Sequence, residues 1–90
     1  MDDDVDRKRR RLLYLSQRRG TKEADLVIGG FARHYLDKMT ADEVEQFEAL
    51  LHEPDPDLMA WIGGQLAPPA GHDNRVMRLL LEFRNTLSKH

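Results

Sequence analysis

The apolar positions of this chain recur at spacings of three and four, the period of a helix rather than of a strand. Val27, Phe31, His34 and Tyr35 share one stripe, and Val44, Phe47 and Leu51 share another. Val76, Leu80, Phe83 and Leu87 repeat at i, i+4, i+7 and i+11. Strand-like alternation is weak, and Val, Ile and Thr are scattered. The pattern predicts five helices, over about 5–17, 22–38, 40–52, 55–62 and 73–87.

Local signals mark several of the ends. Gly20 is suited to close the first helix in a left-handed C-cap. Thr21 is an N-cap for the second, with Glu23 and Asp25 in its first turn. Thr40-Ala41-Asp42-Glu43 is a capping box, the clearest start in the chain. Pro56 suits the first helical position of the fourth helix, where its missing N–H matters least. Gly63, Gly64 and Pro68-Pro69 finish that helix, and residues 67–72 form a loop. Gly29 and Gly30 sit within the second helix at a cost of about 1 kcal/mol each relative to Ala, which points to close packing or to room for a partner. Short helices joined by short connections imply an all-α, compact five-helix bundle. It fills one domain, residues 1–90, with an ordered core over about 5–88.

Composition narrows the function. A chain of 90 residues buries only a modest core and has little bulk to enclose a cofactor and a substrate together. A binding or helper role is favoured over an enzyme. The absence of cysteine excludes disulfide scaffolds, thiolate metal sites and thiol nucleophiles. No apolar run approaches the roughly 20 residues of a membrane span, so membrane insertion is not expected. The opening MDDDVD is acidic where secretory signals begin basic, which implies an unexported protein.

Net charge is −2, but its distribution is uneven. Seven of the 14 Lys and Arg precede residue 20, whereas residues 37–57 hold eight acids and the single base Lys38. A strong electric dipole is the expectation. The run Arg7-Lys8-Arg9-Arg10-Arg11 reads as a solvated positive helix, as a surface for an acidic protein partner, or as a nucleic-acid arm. Five consecutive residues on a helix cannot all face one groove, because each is rotated by about 100° from the last.

Catalytic and metal signals are weak. His34, His52, His72 and His90 are widely spaced and match no ligand pattern, so packing or solvent roles are expected. Ser16 and Ser88 lie outside any nucleophile elbow. The glycine pairs lack the preceding strand of a phosphate loop. Phe31, Tyr35, Phe47, Trp61 and Phe83 read as core.

The stretch RRGTKEAD, residues 18–25, stands apart. Arg18 and Arg19 suit the end of one helix, and Glu23 and Asp25 the start of the next. That accounts for the signs of charge. A tight turn offering guanidinium, bare backbone and carboxylate equally suits a partner's close approach. The two explanations stand level on physics alone.

Arg19-Gly20-x-x-Glu23, taken with Met39-Thr40-Ala41-Asp42-Glu43, Glu53-Pro54-Asp55-Pro56-Asp57 and Trp61, resembles the succinate dehydrogenase assembly factor family, the small flavinylation factors of bacteria and mitochondria. The resemblance covers roughly residues 8–85. Ala24 stands where a larger apolar residue is common, and Gly29-Gly30 replace bulkier residues. Membership implies a five-helix bundle that binds the flavoprotein subunit of succinate dehydrogenase, or of fumarate reductase, and promotes covalent attachment of FAD to it. It implies Arg19, Gly20 and Glu23 as partner-binding residues, supported by Arg18 and Asp25. With the reading of the residues above, it leaves no catalytic or metal-binding residue and no tightly bound cofactor, with FAD held by the client; a monomer in the bacterial cytoplasm is expected, with weak dimers at low salt left open. The alternatives are a small helical nucleic-acid-binding module using the basic first helix, and a direct flavin carrier.

Overall fold

A computed structural model describes residues 3–88; Met1, Asp2, Lys89 and His90, and with them the last histidine and the start of the acidic run, lie outside the described residues. The helices are α1 (Asp3–Ser16), α2 (Lys22–Tyr35), α3 (Ala41–Leu51), α4 (Asp55–Ile62) and α5 (Arg75–Ser88). Single 3₁₀ turns follow α2 at Leu36–Lys38 and precede α5 at Ala70–His72. No strand occurs among the described residues. The five-helix bundle expected from apolar spacing is the architecture observed. Its Cα radius of gyration of 12.4 Å matches the ~12 Å of a compact chain of this length. No helix among the described residues is long and apolar enough to cross a membrane.

α2, α3 and α5 start where a side chain meets the unpaired N–H groups of a first turn, and in α4 a proline in the first turn removes one such group. Thr21 Oγ1 accepts from Ala24 N at 3.1 Å. The capping box is complete: Glu43 N donates to Thr40 Oγ1, and Thr40 N donates to the Glu43 carboxylate. α4 begins at Asp55 with Pro54 as its N-cap, so Pro56 occupies the second position rather than the first. Its missing N–H is still one of the unpaired set. α5 begins at Arg75, two residues later than the spacing predicts, because Asn74 Oδ1 accepts from Met77 N and caps it.

The end of α1 corrects one expectation. Gly20 has no positive φ; the only positive-φ residue among those described is Gly64, at 83°. α1 closes four residues earlier, where Gln17 N and Arg18 N bond back to Tyr14 O and Leu15 O. These three-residue spacings tighten the last turn without a left-handed residue. The end of α2 also tightens, into the Leu36–Lys38 turn that delivers Met39 to the core and Thr40 to its cap.

The core centres on Phe31, fully buried on α2, whose ring lies 5.6 Å from Phe47 of α3 and 6.0 Å from Phe83 of α5. Leu12, Ile28, Leu50, Leu58, Trp61, Val76, Met77 and Leu80 are among the buried residues around it. Tyr35, Leu51, Phe83 and Leu87 pack on its edge half-buried, while His34 is exposed. Two buried positions carry no apolar signal at all. Ser16 is 0% exposed, its hydroxyl donating to Leu13 O at 2.7 Å. Gly29 lies beneath it, and a Cβ there would stand 3.4 Å from Ser16 O and 3.3 Å from Gln17 Cγ. A Cβ on Gly30 would meet the Phe83 ring at 3.2 Å. Both mid-helix glycines therefore serve close helix packing, one toward α1 and one toward α5.

Replacing Phe31 by Ala removes the ring shared by three helices. The expected loss is about 3–5 kcal/mol, a large part of the ~5–15 kcal/mol that holds a small domain together. Thr40→Ala removes one cap bond and should cost only about 1 kcal/mol. Urea unfolding followed by circular dichroism reads both; equal losses would contradict a core organised around Phe31.

Candidate functional site

The α1–α2 turn, residues 17–21, crosses the α3–α4 turn, residues 52–54, and one ion pair joins them. Arg19 Nε donates to Asp55 Oδ1 at 2.7 Å, and Nη2 lies 2.6 Å from the same oxygen. The rest of the guanidinium reaches main-chain acceptors: Nη1 donates to Leu51 O at 2.8 Å and Nη2 to Glu53 O at 2.9 Å. These carbonyls sit at and just beyond the C-terminal end of α3, where carbonyls lack helical partners and partial negative charge accumulates. One planar cation thus satisfies the end of α3 and the first residue of α4 together, which a single ammonium point cannot do.

Asp55 uses its second oxygen as well. Gly20 N donates to Asp55 Oδ2 at 2.6 Å. A Cβ on Gly20 would lie 3.1 Å from that oxygen, so a bare backbone is what lets the carboxylate come this close. Asp25 finishes the turn from the other side, accepting from Arg19 N at 2.5 Å. The pair is largely screened from water, with Arg19 and Asp55 side chains 11% and 17% exposed.

The five residues proposed from the sequence are therefore brought to one corner, but in two different settings. Arg19 and Asp25 are half-buried and hold the corner together. Arg18, Gly20 and Glu23 are exposed on its rim. The Arg18 guanidinium rests 4.5 Å over the exposed Tyr14 ring, and Glu23 has no hydrogen-bond or ion-pair partner among the described residues. The resemblance implies Arg19 as a partner-binding residue; the carboxylate its guanidinium meets is the chain's own Asp55, with Nε and Nη2 both on Oδ1.

Asp55 is the residue the sequence reading passed over as a site residue. Its acidity reads as ordinary helix-start chemistry, and its link to Arg19 spans 36 positions. A further layer lies behind it. His72 is buried against Trp61, with ring centroids 5.5 Å apart, and its Nε2 lies 2.7 Å from Glu53 Oε2. Glu53 thus ties the Ala70–His72 turn to the same connection whose carbonyl receives Arg19.

Beside the rim is a shallow groove of about 310 Å³, lined by Thr21, Glu23, Asp55, Pro56 and Met59. Leu26, one helical turn beyond Glu23, is 62% exposed. The corner therefore presents an unpaired carboxylate and a bare backbone next to apolar surface, a combination suited to a polypeptide. No group of three or more His, Cys, Asp or Glu side chains placed to hold a metal occurs among the described residues.

A family model described as flavinator of succinate dehydrogenase matches residues 10–84, which include the whole corner. The chain is similar to the FAD assembly factor SdhE of Acetobacter pasteurianus, 38% identical over 81 residues, covering 90% of this chain and 74% of that protein. It is similar to the mitochondrial succinate dehydrogenase assembly factor 2 of Saccharomyces cerevisiae, 35% identical over 92 aligned residues, 98% of this chain and 57% of that one. The corresponding Schizosaccharomyces japonicus protein is 40% identical over 76 residues, 83% of this chain and 53% of that protein. The chain spans between about half and three quarters of the length of these relatives.

The ion pair is testable by a double-mutant cycle. Arg19→Ala strands a screened carboxylate and two carbonyls, and should destabilise by about 3 kcal/mol. Arg19→Ala combined with Asp55→Ala should cost less than the sum of the two single changes, by about 0.5–3 kcal/mol. Strict additivity in urea unfolding would show that the two residues do not act as a unit.

Proposed function

The chain belongs to the family of succinate dehydrogenase flavinators, and we propose that it is an assembly factor that binds the flavoprotein subunit of that enzyme and promotes covalent attachment of FAD to it. The observation that carries the assignment to a site is the corner itself. An exposed edge from Arg18 to Glu23 is held from beneath by Arg19, Asp55 and Asp25.

The factor works without a catalytic residue of its own. Bond formation joins the flavin to the client's side chain, inside the client. A helper accelerates such a step by holding the reacting groups in the productive arrangement, and positioning of this kind is worth up to several kcal/mol. A preformed docking edge suits that task, because the cost of ordering it has been met before the client arrives. Gly20 lets the client's backbone come close, Glu23 accepts hydrogen bonds from it, and Arg18 adds an exposed cation. Arg19 acts as a positioning residue. The flavin stays with the client: Phe31, Phe47 and Trp61, the rings best able to stack on it, are buried in the core. A monomer in the bacterial cytoplasm is the working form we propose.

The nucleic-acid alternative has no support in the relatives, and the basic run is dispersed in space. Lys8 pairs with Glu48 of α3 at 3.2 Å, and Arg9 is bound to Asp6 and to Met39 O.

Deleting the gene should remove covalent flavin fluorescence from the succinate dehydrogenase flavoprotein band on a denaturing gel. Glu23→Gln should weaken rescue of that signal with stability changed by less than about 0.5 kcal/mol, because the exposed carboxylate makes no hydrogen bond or ion pair in its own fold. Gly20→Arg should abolish rescue while lowering the melting temperature by only about 4–8 °C, the equivalent of ~1 kcal/mol in a domain this size. Full flavinylation in the deletion strain rules out the assembly role. Full rescue by both variants moves the contact surface elsewhere.

A further inference from the structure

The five-residue basic run is not used by the corner, and its dispersal leaves one feature unexplained. Along the middle of α1, facing the end of α2 and its 3₁₀ turn, runs a cleft of about 410 Å³. Leu13, Ala32 and Leu36 form its floor, and Arg9, Arg10 and Arg33 its basic walls. It shares no lining residue with the corner.

Arg10 and Arg33 are exposed and have no partner among the described residues, although they sit on facing elements. Arg9 is different. Two of its nitrogens are bound, to Asp6 and to Met39 O, while Nε is buried with no acceptor. Three guanidinium groups therefore meet two carboxylates, Asp6, already taken by Arg9, and Asp37 at the α2 end. Like charges held across an apolar floor call for a counter-charge from outside.

We propose that this cleft is a second docking site, for an acidic segment of a polypeptide that places carboxylates on Arg10 and Arg33 and an apolar side chain against half-buried Leu13. Spaced carboxylates match separated guanidinium groups, each of which can take one in a forked pair. The apolar floor gives the aliphatic side chain a place that a sugar–phosphate strand does not fill. Asp37, at one end of the cleft, limits its positive character and opposes a continuous phosphate backbone. The site stands independently of the corner and of the client assigned to it.

The test is a titration of the full chain with a capped hexapeptide of alternating glutamate and leucine, followed by ¹⁵N–¹H correlation spectra. Saturable shifts should appear at amides of residues 6–13 and 32–37. Affinity should fall as salt is raised, because the paired charges are screened. Arg10→Ala with Arg33→Ala should weaken binding by about tenfold, the sum of two modest surface ion pairs. Both side chains are exposed and unpaired, so an unchanged melting temperature verifies the fold of the variant. A lysine–leucine hexapeptide should produce no shifts. The proposal fails if millimolar acidic peptide leaves the cleft amides unmoved, or if wild type and double variant bind alike. It fails also if an oligonucleotide of equal charge binds the same amides more tightly, which would assign the cleft to nucleic acid.

Discussion

Arg19 and Asp55 are 36 positions apart, yet their contact ties both helix connections on one face of the bundle into a single object. Each turn alone would be a short, polar, frayed segment of the kind found at the mobile end of a protein's stability range. Joined, they share a planar cation, a carboxylate with both oxygens engaged, and two carbonyls at and just beyond the end of α3 whose donor is Arg19. Most of the pair's surroundings are protein, so its strength comes less from Coulomb attraction than from complete pairing of groups already removed from water. The rigid edge from Gly20 to Glu23 is a consequence of that pairing.

A division of labour follows within a very short stretch. In eight consecutive residues, charge alternates between structure and display: Arg18 outward, Arg19 inward, Glu23 outward, Asp25 inward. Gly20 belongs to both, since its N–H binds Asp55 while its missing side chain leaves the edge open. Glycine is required here for close approach and not for a left-handed backbone. The same element of design recurs at Gly29, where loss of a side chain lets the end of α1 lie close against α2 and so sets where the corner stands. Behind it, Glu53 and the buried His72 anchor the second connection to the Ala70–His72 turn and to Trp61.

The charge pattern behaves differently in space than along the chain. Basic α1 and acidic α3 pack side by side, with Lys8 on Glu48, and Arg75 at the start of α5 meets Glu43. A dipole drawn from sequence position is thereby partly cancelled by folding. What survives is local: a positive cleft along α1 and, at the corner, the unpaired Glu23 carboxylate, each next to apolar surface. Surface charges more than about 8–10 Å apart are screened at physiological salt, so these local groupings decide what binds.

Helix number, the stripes around Phe31, Phe47 and Leu80, and the Thr21 and Thr40 caps were all legible in the sequence, because each depends on residues within one or two turns of one another. The RGxxE turn was legible as well, as a cluster of chemistry with no local need for all its parts. Which of its charges face outward was not, because that depends on Asp55, a residue whose local role as a helix-starting acid gave no hint of a distant partner. Ser16 and His72 escaped for a related reason: a polar side chain is buried only when the fold supplies its hydrogen bond, and no pattern of apolar spacing records that. Periodicity and capping are properties of the chain itself, whereas the pairing of Arg19 with Asp55, and hence the shape of the site, was decided only when α3 and α4 folded back across α1.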